Sequence, residues 1–235
     1  MTTSKIQQAL DDLKNGKFIL IYDSEDREGE ADFVVASQHI TPKHINTMRK
    51  DGGGLIFLAV GPQIANTLQL PFMADLCTSA STTYPVLSHL TPNDIPYDSK
   101  SSFSLTINHR DTYTGITDND RALTMKGFAQ LADSITHKNN GEAIKEFGQH
   151  FRSPGHVPIC IAAPQLLSDR QGHTELITAL LSMAGLTPVG SGCEIMGDDG
   201  KALPKKETIK YADDHGLTHL TGEEIIEAWK TWQQK

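Results

Sequence analysis

The sequence predicts an α/β domain built on a mixed β-sheet, and three observations carry that expectation. Short, continuous apolar runs recur along the chain, among them KFILIY at 17–22, LIFLAV at 55–60 and Val157 to Ala163. Such runs read as strands buried on both faces. They alternate with segments whose apolar residues repeat at helical spacing. KFILIY and the next apolar run, FVVAS at 33–37, are separated only by the polar stretch Asp23 to Asp32. That hairpin-like start argues against a purely parallel sheet.

Taken in order, Ile6, Leu10 and Leu13 place a helix over 4–15, with Ser4 and Gln7 as a capping box and Asn15-Gly16 as its stop. The strand at 17–22 follows, then DSEDREGEAD, then a second strand in FVVAS (33–37). Thr41-Pro42 opens a helix with proline at its first position, and Gly52-Gly53-Gly54 closes it ahead of LIFLAV. SFSLTIN (102–108) alternates like a strand. Asp118 is expected to cap a helix from near Asp120, with a separate helix from Gly127 to Lys138. TELITALLSMA (174–184) is the clearest helix, with Thr174 as N-cap and Gly185 as stop. VGSGCEIM reads as a strand closed by a GDDG turn, and helices near 205–215 and 222–233 finish the chain. Thr221 and Glu224 form a capping box for the last of them. No repeat or Pro/Gly/Ser linker divides the chain, so residues 1–235 read as one domain.

Composition excludes several function classes. The 235 residues carry 21 basic and 29 acidic side chains, a net charge of 21 − 29 = −8. That balance argues against a protein that wraps nucleic acid or binds a membrane surface. No apolar run approaches the length of about 18 residues that a membrane span needs. The polar N-terminus does not read as a signal peptide. Cys77, Cys160 and Cys193 lie far apart and form no CxxC pair, which suits a reducing cytoplasm.

Five segments contain groups with chemical potential. Asp23, Glu25, Asp26, Glu28, Glu30 and Asp32 fall within ten residues with one cation, Arg27, a local net of −5. The segment reads either as a solvated hairpin loop or as a site for a hard divalent cation, which prefers carboxylate oxygens. Arg170-Gln171-Gly172-His173-Thr174-Glu175 directly precedes the best helix. It is either a polar loop or an anion seat, since a helix N-terminus offers free N–H groups and Arg170 adds a fork of donors. His156, in PGH before an apolar run, is a structural or an acid–base histidine. Glu194 interrupts an apolar strand, so it is exposed at an edge or buried with a partner. TYTGITDNDR (112–121) is rich in hydroxyls and small residues, without diagnostic spacing.

The five segments occur in a fixed order: DREGEAD after a strand, TGITDNDRA, SPGHV, RQGHTE before a helix, and CEIMGDDG. Together they resemble the 3,4-dihydroxy-2-butanone 4-phosphate synthases of riboflavin biosynthesis, and SSFSLTINHRDTYTGITDNDRA resembles the archaeal single-domain branch. The resemblance implies a three-layer α/β domain with a mixed, twisted sheet flanked by helices, in homodimers whose sites lie near the interface. It implies a lyase that turns D-ribulose 5-phosphate into 3,4-dihydroxy-2-butanone 4-phosphate and formate with Mg²⁺ (or Mn²⁺) and no organic cofactor. By the same resemblance Glu28 and His173 are metal ligands, and Arg27, Glu28, Asp32 and Thr114 contact substrate. Arg170, Gln171, Gly172, His173 and Thr174 form the phosphate loop. His156 and Glu194 are the essential acid–base groups, with Glu194 also on the substrate, and Asp23 and Glu30 line the site. One departure stands out: Phe57 occupies a position where the family usually has a cysteine. Either that thiol is dispensable or the chain is an impaired, non-catalytic relative. A fused zinc-dependent cyclohydrolase is not expected from three scattered cysteines.

Overall fold

The computed structural model describes residues 2–92 and 94–234. Its strands are β1 (Ile19–Tyr22), β2 (Ala31–Ala36), β3 (Phe57–Val60), β4 (Phe103–His109), β5 (Phe151–Ile161), β6 (Val189–Glu194) and β7 (Thr218–Thr221). They form one sheet in the order β4-β5-β3-β6-β2-β1-β7. β1 and β2 are the expected antiparallel hairpin, and β6 runs antiparallel to both β2 and β3. The β1–β7 and β3–β5 pairs are parallel, so the sheet is mixed. The α-helices are α1 (Thr2–Lys14), α2 (Pro42–Thr47), α3 (Pro62–Thr67), α4 (Met73–Ala80), α5 (Asp118–Ser134), α6 (Asn140–His150), α7 (His173–Met183), α8 (Lys205–His215) and α9 (Gly222–Trp232).

The apolar runs are continuous because both faces of the sheet are covered. Successive strand residues point to opposite faces. Leu20, Phe33, Val35 and Leu58 pack with Ile45, Met125 and Phe128 on one side. Ile19, Ile21, Val34 and Ala59 pack with Leu13, Ile177, Leu180 and Ile225 on the other. The result is the expected three layers, helices on sheet on helices.

Helix α7 lies unusually near the sheet. A Cβ on Gly190 of β6 would sit 2.2 Å from Ile177 Cγ2, and one on Gly192 would sit 2.6 Å from Phe57 Cζ. Gly190 therefore lets α7 settle onto the sheet, while Gly192 makes room for the Phe57 ring of β3, and the first turn of α7 comes down over the ends of β1, β2 and β6.

Several expectations are corrected. α1 begins at Thr2, so Ser4 lies inside the helix and no Ser4–Gln7 box forms. The two helices expected around 118–138 are one, α5, capped by Thr117, which accepts from the Asp120 N–H; Asp118 is in its first turn. Gly127 does not break α5, and its open side is covered by His109. The N-cap of α7 is Gly172, which places Thr174 in the first turn. β5 starts at Phe151, well before Val157, and its pairing with β4 shifts register around residues 153–156. α3, α4, α6 and β7 were not anticipated. β7, THLT, is too short and too polar to register as an apolar run. The Thr41 and Thr221 caps form as expected.

Candidate active site

The acidic loop between β1 and β2 organises itself around one of its own carboxylates. Asp23 is buried and accepts from the backbone N–H groups of Glu28 and Glu30, both at 3.1 Å, and from Arg27 Nη1 at 3.2 Å. Glu25 and Asp26 are exposed. The like charges that crowd this loop in sequence are thus separated, one inward and bonded, two outward in water, and Glu28 facing α7.

Glu28 meets His173, the first residue of α7. Glu28 Oε2 lies 3.1 Å from His173 Nδ1, while His173 Nε2 lies 3.3 Å from the Ile21 carbonyl and 3.7 Å from Asp32 Oδ1. Asp32 sits directly across from Glu194 in the β2–β6 register, so both carboxylates face the same layer. Glu194 Oε2 accepts from the Leu55 N–H at 2.7 Å. Asp32 is fully buried, and neither of its oxygens has a hydrogen-bond partner.

This arrangement binds protons tightly. Burial opposes charge on His173, but Asp32, Glu28 and Asp23 outweigh it and push its pKa up to about 10. Burial likewise raises Glu28, yet the His173 contact and the two arginines hold it below the usual carboxylate range. Glu30 is raised by burial and by its neighbours Glu28 and Glu194. Asp32 is raised by burial without a donor.

Arg170, in the loop before α7, brings positive charge to the same place. A Cβ on Gly172 would lie 2.2 Å from Arg170 Nη1, so glycine at the helix cap is what lets the guanidinium fold over the first turn. Its Nη1 donates to Glu175 Oε2 at 2.6 Å, and its Nε and Nη2 donate to Asp98 Oδ2 at 3.0 and 2.7 Å. Glu175 is fully buried and also accepts from the Ala163 N–H.

Of the residues singled out in the sequence, Glu28, Asp32, Arg170, His173, Thr174 and Glu194 line one cavity of about 90 Å³, with Arg27, Asp23 and Glu30 around it. Gly172 lies beneath Arg170, and Gln171 is exposed. His156 and Thr114 are not among the lining residues. His156 is exposed on the irregular part of β5, with Nδ1 3.1 Å from Asn108 Nδ2. It lies four residues, about 13 Å of extended chain, from Cys160, which does line the cavity. Thr114 is exposed and bonded to Asp120.

Sequence reasoning missed Asp98, Glu175, Ser102 and Cys160. Only Glu175 carried a local signal, as the acid of RQGHTE. Phe57 is buried and forms part of the cavity wall. Cys160 is the cavity's thiol, but burial pushes its pKa up to about 12, so it remains protonated. Cys77 lies on α4, away from the lining residues.

The donor set suits a hard divalent cation. Asp23, Glu28 and His173 offer ligand atoms within 4.8 Å of one another. With Nε2 donating to the Ile21 carbonyl, Nδ1 is the nitrogen that faces Glu28 and, once deprotonated, would be the one open to an ion; a backbone acceptor of that kind is what fixes a ligating imidazole. The two oxygens of Asp32, without hydrogen-bond donors among the described residues, add further acceptors beside that place. Carboxylate oxygens with one imidazole, and no thiolate, are ligands for Mg²⁺ or Mn²⁺.

A buried set of carboxylates, one histidine and two arginines at the end of an α/β sheet defines an enzyme site rather than a scaffold surface. The family model for 3,4-dihydroxy-2-butanone 4-phosphate synthase matches residues 7–228. A protein of that name from Methanothermobacter thermautotrophicus is 46% identical over 225 residues, 95% of each chain. Another, from Methanosarcina acetivorans, is 48% identical over 230 residues, covering 97% of this chain and 92% of its own. A crystal structure of a 3,4-dihydroxy-2-butanone 4-phosphate synthase in complex with two magnesium ions superposes with a TM-score of 0.75 at 26% identity, over 96% of both chains. The chain belongs to the 3,4-dihydroxy-2-butanone 4-phosphate synthase family, enzymes of riboflavin biosynthesis and carbon–carbon lyases. Among the described residues no helix is long and apolar enough to cross a membrane.

Proposed function

We propose that this chain, a single domain, converts D-ribulose 5-phosphate into 3,4-dihydroxy-2-butanone 4-phosphate and formate. The observation that carries this reading is the contact of Glu28 with His173 in a cavity that also holds Asp32, Glu194 and Arg170. Glu28 and His173 would hold Mg²⁺ or Mn²⁺, with Asp23 beside them, and the ion would supply Lewis acidity at the ketose oxygens.

The chain's own residues do the rest. Arg170, Gly172 and Thr174 offer the phosphate a guanidinium, backbone N–H groups and a hydroxyl at the start of α7. Gln171 flanks that loop, and Arg27 adds a second guanidinium. Asp32 receives sugar hydroxyls as hydrogen-bond donors, which its unpartnered oxygens can accept. Removal of the C3 proton gives an enediol. Loss of the C1 hydroxyl as water, a skeletal shift, addition of water to the C4 carbonyl and expulsion of C4 as formate complete the reaction. Glu194, held by the Leu55 N–H with its second oxygen free, moves protons on the sheet side of the substrate.

His156 is the second acid–base group in this reading, and its exposed position away from the cavity supports a homodimer in which one copy presents His156 and Thr114 to the other's pocket. Three unpaired cysteines support a cytoplasmic location. Formate release from ribulose 5-phosphate, measured with and without EDTA, tests the activity; a folded, Mg²⁺-loaded sample that yields no formate refutes it. Mixing inactive His156→Ala and Glu28→Ala proteins tests the shared site. Random exchange leaves half the dimers mixed, each with one intact site, so up to about a quarter of wild-type turnover returns. No recovery after subunit exchange places His156 outside the partner's site.

A further inference from the structure

Both arginines assigned above to the substrate's phosphate are already engaged, and by the same atom. Asp98 Oδ2 accepts from Arg27 Nη2 at 2.5 Å and from Arg170 Nε and Nη2 at 3.0 and 2.7 Å. All three bonds fall on one oxygen. The Nε–Nη2 edge of a guanidinium is a face that takes phosphate in a two-pronged grip, and here a carboxylate occupies it.

The partners of Arg170 differ in kind. Glu175 holds Nη1 from within α7 and is fully buried, so it is a permanent anchor. Asp98 comes from the irregular segment between the Pro85–His89 turn and β4, tethered by Lys100 to Asp75 at 2.7 Å and by Tyr97 against Arg27 at 5.3 Å. No regular hydrogen-bonded element includes Asp98.

We propose that Asp98 is a built-in stand-in for the substrate's phosphate: it fills the anion seat between Arg27 and Arg170 in the free protein and leaves when the phosphate ester arrives. This rests on the substrate reading given above and deepens it. With Asp98 in the seat, two guanidiniums stay close without repelling each other, and the grip is formed before the ligand binds. The incoming group must outcompete a carboxylate, which favours a dianionic phosphate over a singly charged sugar acid. The apparent affinity is the intrinsic affinity reduced by the fraction of molecules whose seat is free.

Calorimetric titration with inorganic phosphate, on wild type and Asp98→Asn, tests the proposal. If the seat is free in about one molecule in ten, Asp98→Asn binds phosphate about tenfold more tightly, and its KM for ribulose 5-phosphate falls in parallel. An unchanged or weaker phosphate affinity overturns the proposal, since Asp98 would then be a lasting support that positions the arginines. Should the variant not fold, hydrogen exchange of residues 95–101 in the wild type decides. Faster exchange on adding phosphate supports displacement, and unchanged or slower exchange overturns it. Absence of formate from both proteins, with phosphate still binding differentially, would count against the substrate assignment and leave the seat intact.

Discussion

Magnesium affinity is expected to rise about tenfold per pH unit between pH 7 and pH 9, because the ion and a proton compete for one nitrogen. The perturbation is pH alone. In the metal-free protein three carboxylates push the pKa of His173 up to about 10, against burial, and its Nδ1 faces Glu28 at 3.1 Å. An ion bridging those two groups needs the Nδ1 lone pair, so the proton has to leave. At pH 7 that costs about three pH units, roughly 4 kcal/mol, and at pH 9 about one unit, roughly 1.4 kcal/mol. The assay is titration calorimetry with MgCl₂ in two buffers of different ionisation heat, which also reads the release of about one proton per ion near pH 8. Stability supplies a second reading. A histidine whose folded pKa exceeds its unfolded value near 6.5 contributes fully below pH 6.5 and loses that contribution as pH rises towards about 10. The urea midpoint in EDTA should therefore fall between pH 7 and pH 10, and excess Mg²⁺ should oppose the fall. An affinity that stays flat from pH 7 to pH 9, with no buffer-dependent heat, would refute the argument and remove His173 from the metal site.

Other expectations concern single residues. Glu28→Gln keeps the shape of a side chain that is 23% exposed but removes its charge. Formate release should fall by about a thousandfold or more with little change in Tm, and a variant that turns over normally would exclude Glu28 as a ligand. Phe57→Cys restores the thiol usual in the family while deleting a ring that is 5% exposed, which should cost about 3 kcal/mol and lower Tm by about 6–12 °C. Turnover by the wild type would show that the thiol is dispensable, and calorimetry of the variant checks the cost. His219 is buried with its Nε2 unpartnered, and burial drives its pKa down to about 4. Stability should therefore drop as pH falls from about 6.5 towards 4, by at most about 3 kcal/mol, and His219→Gln should flatten that limb in urea titrations.

Elements that bury both faces were readable because burial forces a continuous apolar run. β1, β2, β3 and the C-terminal part of β5 announced themselves in this way. β7 did not, because its place beside β1 comes from parallel pairing across the molecule rather than from its own four residues. The sequence reads as two helices, one from near Asp120 and one from Gly127, whereas α5 runs unbroken through Gly127, which packs against His109. The site was legible where its groups share a short segment, as in Glu28 and Asp32, or His173 and Thr174. Its assembly was not. Glu28 and His173 are 145 residues apart, and Asp98, in an unremarkable loop, meets Arg170 at a separation of 72 residues. Both sequence readings of the acidic loop hold in part: Glu25 and Asp26 face solvent, Asp23 is bonded to backbone N–H groups and Arg27, and Asp23 and Glu28 stand with His173 as possible cation ligands.

The absence of a side chain at Gly190 reaches further than packing. Ile177, which rests on Gly190, lies one turn and about 6 Å along a rigid rod from His173. That glycine therefore acts as a spacing gauge for the His173 imidazole: it sets how low α7 rides and hence how far the ring stands from Asp32 and Glu28. A single methyl group there would lie 2.2 Å from Ile177 Cγ2, so α7 would have to shift and carry His173 with it. Position 190 belongs to the site by leverage, although it touches none of the reacting groups, and a roster of site residues drawn up by contact alone would leave it out.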